Sequence, residues 1–449
     1  MSDESRPEAP SDAPPGPSST AHPTAPSTAP SDGPKRRGKV ARKHTVGRVV
    51  LISALTLALV TALSVVYFVR HLNGNIEGVS IGDVLSEEDR PQEVYKGNGE
   101  PLDILVMGSD SRDCEGCDID QEGGGGSDTS ILVHISADRS RAYAVSIPRD
   151  SIVDRPDNDA CTTGGTDVMW NAAYDNGGPL CTMSQLEQMT GIRVEHFVVV
   201  DFGSFGKMVD AVGGVPVCVP EDIVDRKHQI FVPKGNPSLL TGDEALDYVR
   251  ARYVGELIQQ NDISRIRRQQ EFIGALVREV KSAGTLTRPD KVVKFLNAAT
   301  NALTTDDEFA DVTKIARVAL QLQNIGLDKV QFITLPTEYY PRDSEFFGRV
   351  RWTDQATEIW KLLTEDKVLP KSLIGDTSVS AEGPPGSTET PTAGESGTGT
   401  PSGTPSSTPS ETTSETPSTP TETASESPSP ATPSETTAPE EDPVPGVCS

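Results

Sequence analysis

The feature that most constrains this chain is VVLISALTLALVTALSVVYFV, Val49–Val69, in which no residue carries a charge. At the rise of an α-helix the run is long enough to cross the hydrocarbon of a bilayer. Seven basic residues precede or abut it (Lys35, Arg36, Arg37, Lys39, Arg42, Lys43 and Arg48), whereas the charges after Arg70 are mostly acidic: Glu77, Asp83, Glu87, Glu88 and Asp89. Basic residues concentrate on the cytoplasmic side of such spans. The expected arrangement is a single-pass protein of the cell membrane, its N-terminus cytoplasmic and everything after residue 70 extracytoplasmic. A cleaved signal peptide fits less well, because the apolar run is too long and no A-x-A-like site closes it.

The ends of the chain are poor in anything that packs. Residues 1–34 are mostly Pro, Ser, Ala and Thr, and from about Asp376 onward Ser, Thr, Pro and Glu repeat, as in SETPSTPTETASESPSP. Such segments bury too little apolar surface to offset the entropy of ordering. The division expected is a disordered cytoplasmic N-terminus (1–48), a transmembrane helix (49–69), a linker (70–94), one large folded domain (95–370) and a disordered tail (371–449). No Lys or Arg follows Lys371, so the tail supplies much of the formal net charge of −26. That acidity describes the tail and says little about a basic partner.

Six cysteines suit an oxidising exterior. Cys448 lies at the end of the tail. The bridges expected are Cys114–Cys117 and Cys161–Cys181, with Cys218 left as a small buried residue in GVPVCVP; other pairings remain open. A single C-x-x-C without His ligands is weak evidence for zinc.

Apolar runs of strand length recur at 102–108, 130–136, 142–148, 196–202, 214–219 and 329–336. They are near-continuous, as in strands covered on both faces. Between and after them lie helical patterns. TGDEALDYVR opens with Thr241-x-x-Glu244, a capping-box spelling, and DISRIRRQQEFIGALVREVKS repeats apolar residues at helical spacing. Further helices are expected over PDKVVKFLNAATNAL and DEFADVTKIARVALQLQNIG, the latter closed by Gly326. The fold class expected is α/β: an α/β/α sandwich with a central mixed β-sheet. No Walker loop, dinucleotide fingerprint, G-x-S-x-G elbow or H-E-x-x-H is present.

Chemistry concentrates at strand ends. Asp110 follows one strand and Asp128 opens the next, so neighbouring strands would bring two carboxylates to one sheet edge. Two such groups plus water suit Mg²⁺, although turn and cap residues carry the same spelling. SIPRD ends another strand with Arg149 and Asp150, which as a surface ion pair would matter little. VRARYVGELIQQNDISRIRRQQ then gathers five arginines and no lysine. Arg250 and Arg252 end one helical segment, and Asp262 reads as the N-cap of the next. Arg265 then falls in a first turn, where a cation opposes the helix dipole unless a bound anion compensates. Gln269 lies one turn on, facing the same way. Arg267 and Arg268 point elsewhere, solvated or paired with Asp or Glu. Guanidinium binds phosphate oxygens in pairs, and the basicity is local, so a pyrophosphate fits and nucleic acid does not.

The segments ILVMGSDSR, SDTSILVHI, SIPRD, NAAYDNGG, DFGSFGKMVDAVGGVPV, LLTGDEALDYVRARY and NDISRIRRQQ, in this order over about 100–285, resemble the signatures of the LytR-CpsA-Psr family. The resemblance implies a membrane-anchored, extracytoplasmic phosphotransferase that moves a glycan polymer from a polyprenyl-pyrophosphate carrier to peptidoglycan. It implies Asp110 and Asp128 as acids associated with Mg²⁺. It implies Arg149, Arg250, Arg252, Arg265 and Gln269 as pyrophosphate binders, and Asp262 as the acid that precedes the R-x-x-x-Q helix. Catalysis would fall to Asp110, Asp128, Arg149 and Arg252, with an Asp of unassigned identity taking the acceptor proton. The apolar faces of the 263–283 and 306–325 helices are candidates to line a lipid tunnel. Met169 stands where relatives often have Lys, Ser264 precedes Arg265, and the insertion between Asp110 and Asp128 is long. A hydrolase using water as acceptor and a non-catalytic envelope regulator are the alternatives.

Overall fold

The computed structural model describes residues 45–109, 126–226, 228–252, 261–281, 288–375 and 378–381. The apolar run lies inside helix α1, Thr45–Asn73, which is long and apolar enough to cross a membrane and exceeds the expected span at both ends.

From residue 77 onward, apolar runs build an eight-stranded sheet. Its strands in chain order are β1 (Glu77–Val79), β2 (Leu102–Ser109), β3 (Ser127–Ile135), β4 (Ala142–Ile147), β7 (His196–Asp201), β12 (Leu303–Asp306), β13 (Val330–Thr334) and β16 (Ser378–Ser380), while β5 (Ile152–Arg155) pairs with β6 (Gly165–Met169) and β9 (Ile223–Asp225) with β10 (Ile230–Val232) outside it. The spatial order within the sheet is β1-β12-β7-β2-β3-β4-β13-β16. β2 runs parallel to β7 and β4 to β13, while β3 is antiparallel to both of its neighbours. The sheet is therefore mixed, as expected. The central strands β2 and β4 are buried almost throughout because helices and loops cover them. The run at 214–219 differs. It forms β8 (Val215–Val219), whose burial alternates, and it pairs with β11 (Gly235–Leu240) in a separate ribbon.

One core cluster lies under α2 (Ala172–Thr190) and α8 (Asp354–Thr364), centred on Leu105, Leu132, Val145, Leu186 and Phe197. A second gathers α3 (Phe202–Val212), α4 (Gly242–Arg250) and α5 (Asn261–Lys281) around Val209, Tyr248 and Phe272. The capping box forms: the Glu244 carboxylate accepts from the Thr241 N–H at 3.0 Å. Asp262 is not an N-cap, since α5 already begins at Asn261. α6 (Pro289–Asn301) and α7 (Val312–Ile325) follow, and α7 stops before Gly326, whose φ of +82° suits glycine. The apolar faces assigned to a tunnel are largely engaged in packing: Phe272 and Ala275 of α5 join the second cluster, and Ile325 of α7 packs on Ile135 and Ala142.

Both domain limits expected from composition shift. The linker belongs to the fold, since Arg90 donates to Glu187 Oε1 at 2.8 Å inside α2, and Leu85 is buried. Beyond residue 370 come α9 (Lys371–Ile374) and the edge strand β16, and Ala381 packs beside Ile131, Ala144 and Phe332. Cys161–Cys181 is bridged as expected. Cys218 is not a free buried thiol; it is half-buried and disulfide-bonded. Cys114, Cys117 and Cys448 lie outside the described residues, and so does the expected Cys114–Cys117 bridge.

Cys161–Cys181 closes a separation of 20 residues. By loop-closure entropy, replacing both cysteines with Ala should cost about 3 kcal/mol in a urea unfolding titration. A pH effect follows from His134, which is buried with Nδ1 2.8 Å from Asp103 and Nε2 3.3 Å from Asp366. Burial would lower its pKa, but Asp103 and Asp366 outweigh this and push it up to about 9. The folded chain therefore retains a proton that the unfolded chain releases near pH ~6.5. Glu195, raised by burial and by Asp103, acts in the same direction. Stability should fall between about pH 6.5 and 9, and His134→Gln should flatten that slope in unfolding titrations.

Candidate functional site

β2, β4, β7 and β13 all end at one edge of the sheet, where β3 begins. In open α/β sheets ligands bind beyond such carboxyl ends. At this edge the β2–β3 register slips, pairing Gly108 with Thr129 but Ser109 with Ser127. Asp128 is the residue left over. A bulge of this kind re-aims a side chain, and here it carries the carboxylate that organises the site. Gly108 beside it cannot be replaced freely, because an added Cβ would lie 3.0 Å from the Phe202 ring.

Three arginines reach Asp128. Arg149, two residues beyond β4, donates to Oδ1 at 2.7 Å, and Arg252 donates to Oδ2 at 2.6 Å. Arg265 reaches the Asp128 carbonyl at 3.5 Å and also donates to Asp262. Asp262 lies 3.7 Å from Arg149 Nε, and Asp150 sits between Arg149 and Arg349. Burial would raise the Asp128 pKa, but Arg265, Arg252 and Arg149 together hold it well below the usual carboxylate range. Arg265 is 2% exposed, and burial draws its pKa down, with Arg149 and Arg252 adding repulsion. Its Nε and the Asp262 Oδ2 are buried without a hydrogen-bond partner among the described residues. The cluster is thus rich in guanidinium and only partly compensated, an arrangement suited to a multivalent anion.

The other expected residues divide. Arg250 stacks its guanidinium 4.8 Å from the centroid of the Phe202 ring. Gln269 directs its amide to the Val249 carbonyl at 3.2 Å, so it fixes the chain that carries Arg250 and Arg252. Asp110 lies outside the described residues. Arg268 corrects the sequence: it is neither solvated nor paired at the surface but fully buried, donating to the carbonyls of Tyr248 and Ala251. Gln270 donates to Ser146 at 2.9 Å and Thr334 at 3.3 Å, pinning α5 to the ends of β4 and β13. The Arg252 N–H is held by Asp225 Oδ2 at 3.0 Å.

Sequence reasoning missed Arg349 and Tyr339. Tyr339 ends β14 (Thr337–Tyr339), the partner of β15 (Val350–Trp352). Burial and the nearby Asp262 and Asp150 push its phenol up to about 12, which marks it as a neighbour of the cluster. Nothing in the local spelling of 337–350 announces this, because the hairpin arrives from far along the chain.

Fold and site together define an α/β protein with one candidate membrane-spanning helix and a cluster of arginines built around Asp128. Residues 68–367 match the LytR_cpsA_psr family, and the chain belongs to that family. It is 30% identical over 293 residues to the cell wall biosynthesis protein LcpA of Corynebacterium glutamicum, covering 59% of this chain and 55% of that one. It is 30% identical over 252 residues to the polyisoprenyl-teichoic acid–peptidoglycan teichoic acid transferase TagV of Bacillus subtilis, covering 55% and 61%. The chain thus spans somewhat over half the length of these relatives. Among solved structures, the LytR-Csp2A-Psr enzyme from Actinomyces oris is similar at 20% identity and a TM-score of 0.49, over 65% of this chain and 96% of that one.

Because Asp128 is held below the ordinary carboxyl value of about 4, its stabilising effect is complete above that value and fades as pH falls beneath it. Asp128→Asn should be less stable than the parent at pH 7 in thermal melts, with the gap narrowing below about pH 4.

Proposed function

We propose that this protein is an extracytoplasmic transferase that moves a glycan polymer from a polyprenyl-pyrophosphate carrier to peptidoglycan. The observation that carries the reading is the convergence of Arg149, Arg252 and Arg265 on Asp128 at the sheet edge. The acceptor hydroxyl attacks the phosphorus bonded to the glycan. The bond from that phosphorus to the bridging oxygen breaks, the electron pair leaves with the lipid phosphate, and the acceptor hydroxyl's proton passes to solvent water. Guanidinium groups aimed at the pyrophosphate stabilise the charge that grows on this oxygen and hold the group in line. Asp128, ionised far below neutral pH, is a weak proton acceptor, so its role is to orient arginines. The names of the relatives, which include teichoic acid transferases, support the same class of reaction.

Mg²⁺ remains part of the proposal. Among the described residues no trio of acids or histidines stands close enough to hold a metal. A hard divalent ion does suit the ionised oxygens of Asp128, which would share them with Asp110 in place of one guanidinium. When bound, the ion would neutralise charge on the pyrophosphate. α1 would anchor the protein in the bilayer with the basic N-terminal segment in the cytoplasm.

Incubating the full-length protein in micelles with a lipid-pyrophosphate-linked sugar, Mg²⁺ and peptidoglycan oligomers should attach sugar to the acceptor. Release of phosphorylated sugar alone would favour a hydrolase. Arg149→Lys should lose most of the activity with an unchanged circular dichroism spectrum, because an ammonium group cannot reproduce the paired contacts.

A further inference from the structure

The chain's three tryptophans form one ladder. Trp352 lies 6.0 Å from Trp170 and 5.7 Å from Trp360, measured between ring centroids. Trp170 donates its indole N–H to Ser130 on β3, two residues beyond Asp128, at 3.0 Å. The indole nitrogens of Trp352 and Trp360 are buried without a partner among the described residues. Buried indole N–H groups ordinarily find one. Both rings line a cavity of about 400 Å³, with Ile152 and Met189 among its walls and Thr357 exposed at its rim. That size lies within the range of small-ligand sites.

The cavity adjoins the arginine cluster. Ile152 is three residues from Arg149, so along the chain the two are at most about 11 Å apart. Asp150 hands its carbonyl to Val350 at 3.1 Å, and Ser151 bridges to the same strand, β15. The ribbon that brings Arg349 to Asp150 therefore also brings Trp352 to the cavity. Arg351 and Lys361 complete the lining. Their carboxylate partners, Glu338 and Glu358, are half exposed, and such pairs exchange readily for another anion.

We propose that this cavity is a saccharide subsite, which takes an N-acetylated sugar of a carboxylate-bearing glycan chain and holds the acceptor strand beside the pyrophosphate. It rests on the transferase reading above. The C–H face of a pyranose packs against an indole face, the hydroxyl and acetamide oxygens accept from indole N–H groups as the rings adjust, and the carboxylate meets Arg351 or Lys361. No bond is made or broken here.

Because these are the only tryptophans, intrinsic fluorescence of the full-length protein in micelles reports on the subsite. Titration with a peptide-free tetrasaccharide of alternating N-acetylglucosamine and N-acetylmuramic acid should give a saturable change. Chitotetraose, which lacks the carboxylates, should bind several-fold more weakly. Thr357→Glu, a substitution at an exposed helical position that fills the rim and repels the carboxylate, should weaken tetrasaccharide binding at least tenfold. Its affinity for inorganic pyrophosphate, read by calorimetry, should stay unchanged. No saturable change, or undiminished binding in Thr357→Glu, would overturn the subsite; equal affinity for chitotetraose would overturn the carboxylate recognition. Normal saccharide binding without pyrophosphate binding or glycan transfer would instead sink the transferase reading and leave the subsite standing.

Discussion

The structure depends on one electrostatic compromise: a carboxylate set among arginines that would otherwise repel one another. Asp128 meets Arg149 and Arg252 through its two oxygens and Arg265 through its carbonyl. These groups come from β3, from the turn after β4, from the end of α4 and from α5, so the acid joins four parts of the chain. Burying charges is costly unless each is paired and hydrogen-bonded. The remaining imbalance is of the kind that a multivalent anion relieves.

Holding the compromise in register falls to three neighbouring side chains of α5. Arg268, Gln269 and Gln270 are consecutive on α5, and each docks on a different acceptor: the carbonyls closing α4, the Val249 carbonyl, and the hydroxyls at the ends of β4 and β13. Arg268 stays buried even though burial draws its pKa down to about 10. Rigid supporting contacts of this kind keep a charged constellation within a narrow geometric tolerance.

Much of this was legible in the sequence, for reasons that differ between features. The sheet strands announce themselves because unbroken apolar runs have few other uses, and the capping box of α4 because its two partners are three residues apart. The arginines stood out by their density and by the family signatures around them. The bulge that turns Asp128 was not legible, since it exists only in the pairing of two strands separated by a long insertion. Arg268 was misjudged because helical periodicity gives a direction, not what lies there. In this case α4 ends against it with carbonyls that need a donor. Cys218 was misjudged because an apolar neighbourhood does not reveal a disulfide.

The strand β16 has a consequence for where this domain stops. The family match ends at 367, yet β16 covers the outer side of β13, and the Ala381 carbonyl accepts from Arg278 at 2.8 Å on the helix that carries Arg265 and Gln269. A chain shortened to the family limit would bare an unpaired ladder of amides, inviting edge-to-edge association. It would also loosen α5 from behind. The twelve described positions beyond that limit, 368–375 and 378–381, thus act as a seal and a brace.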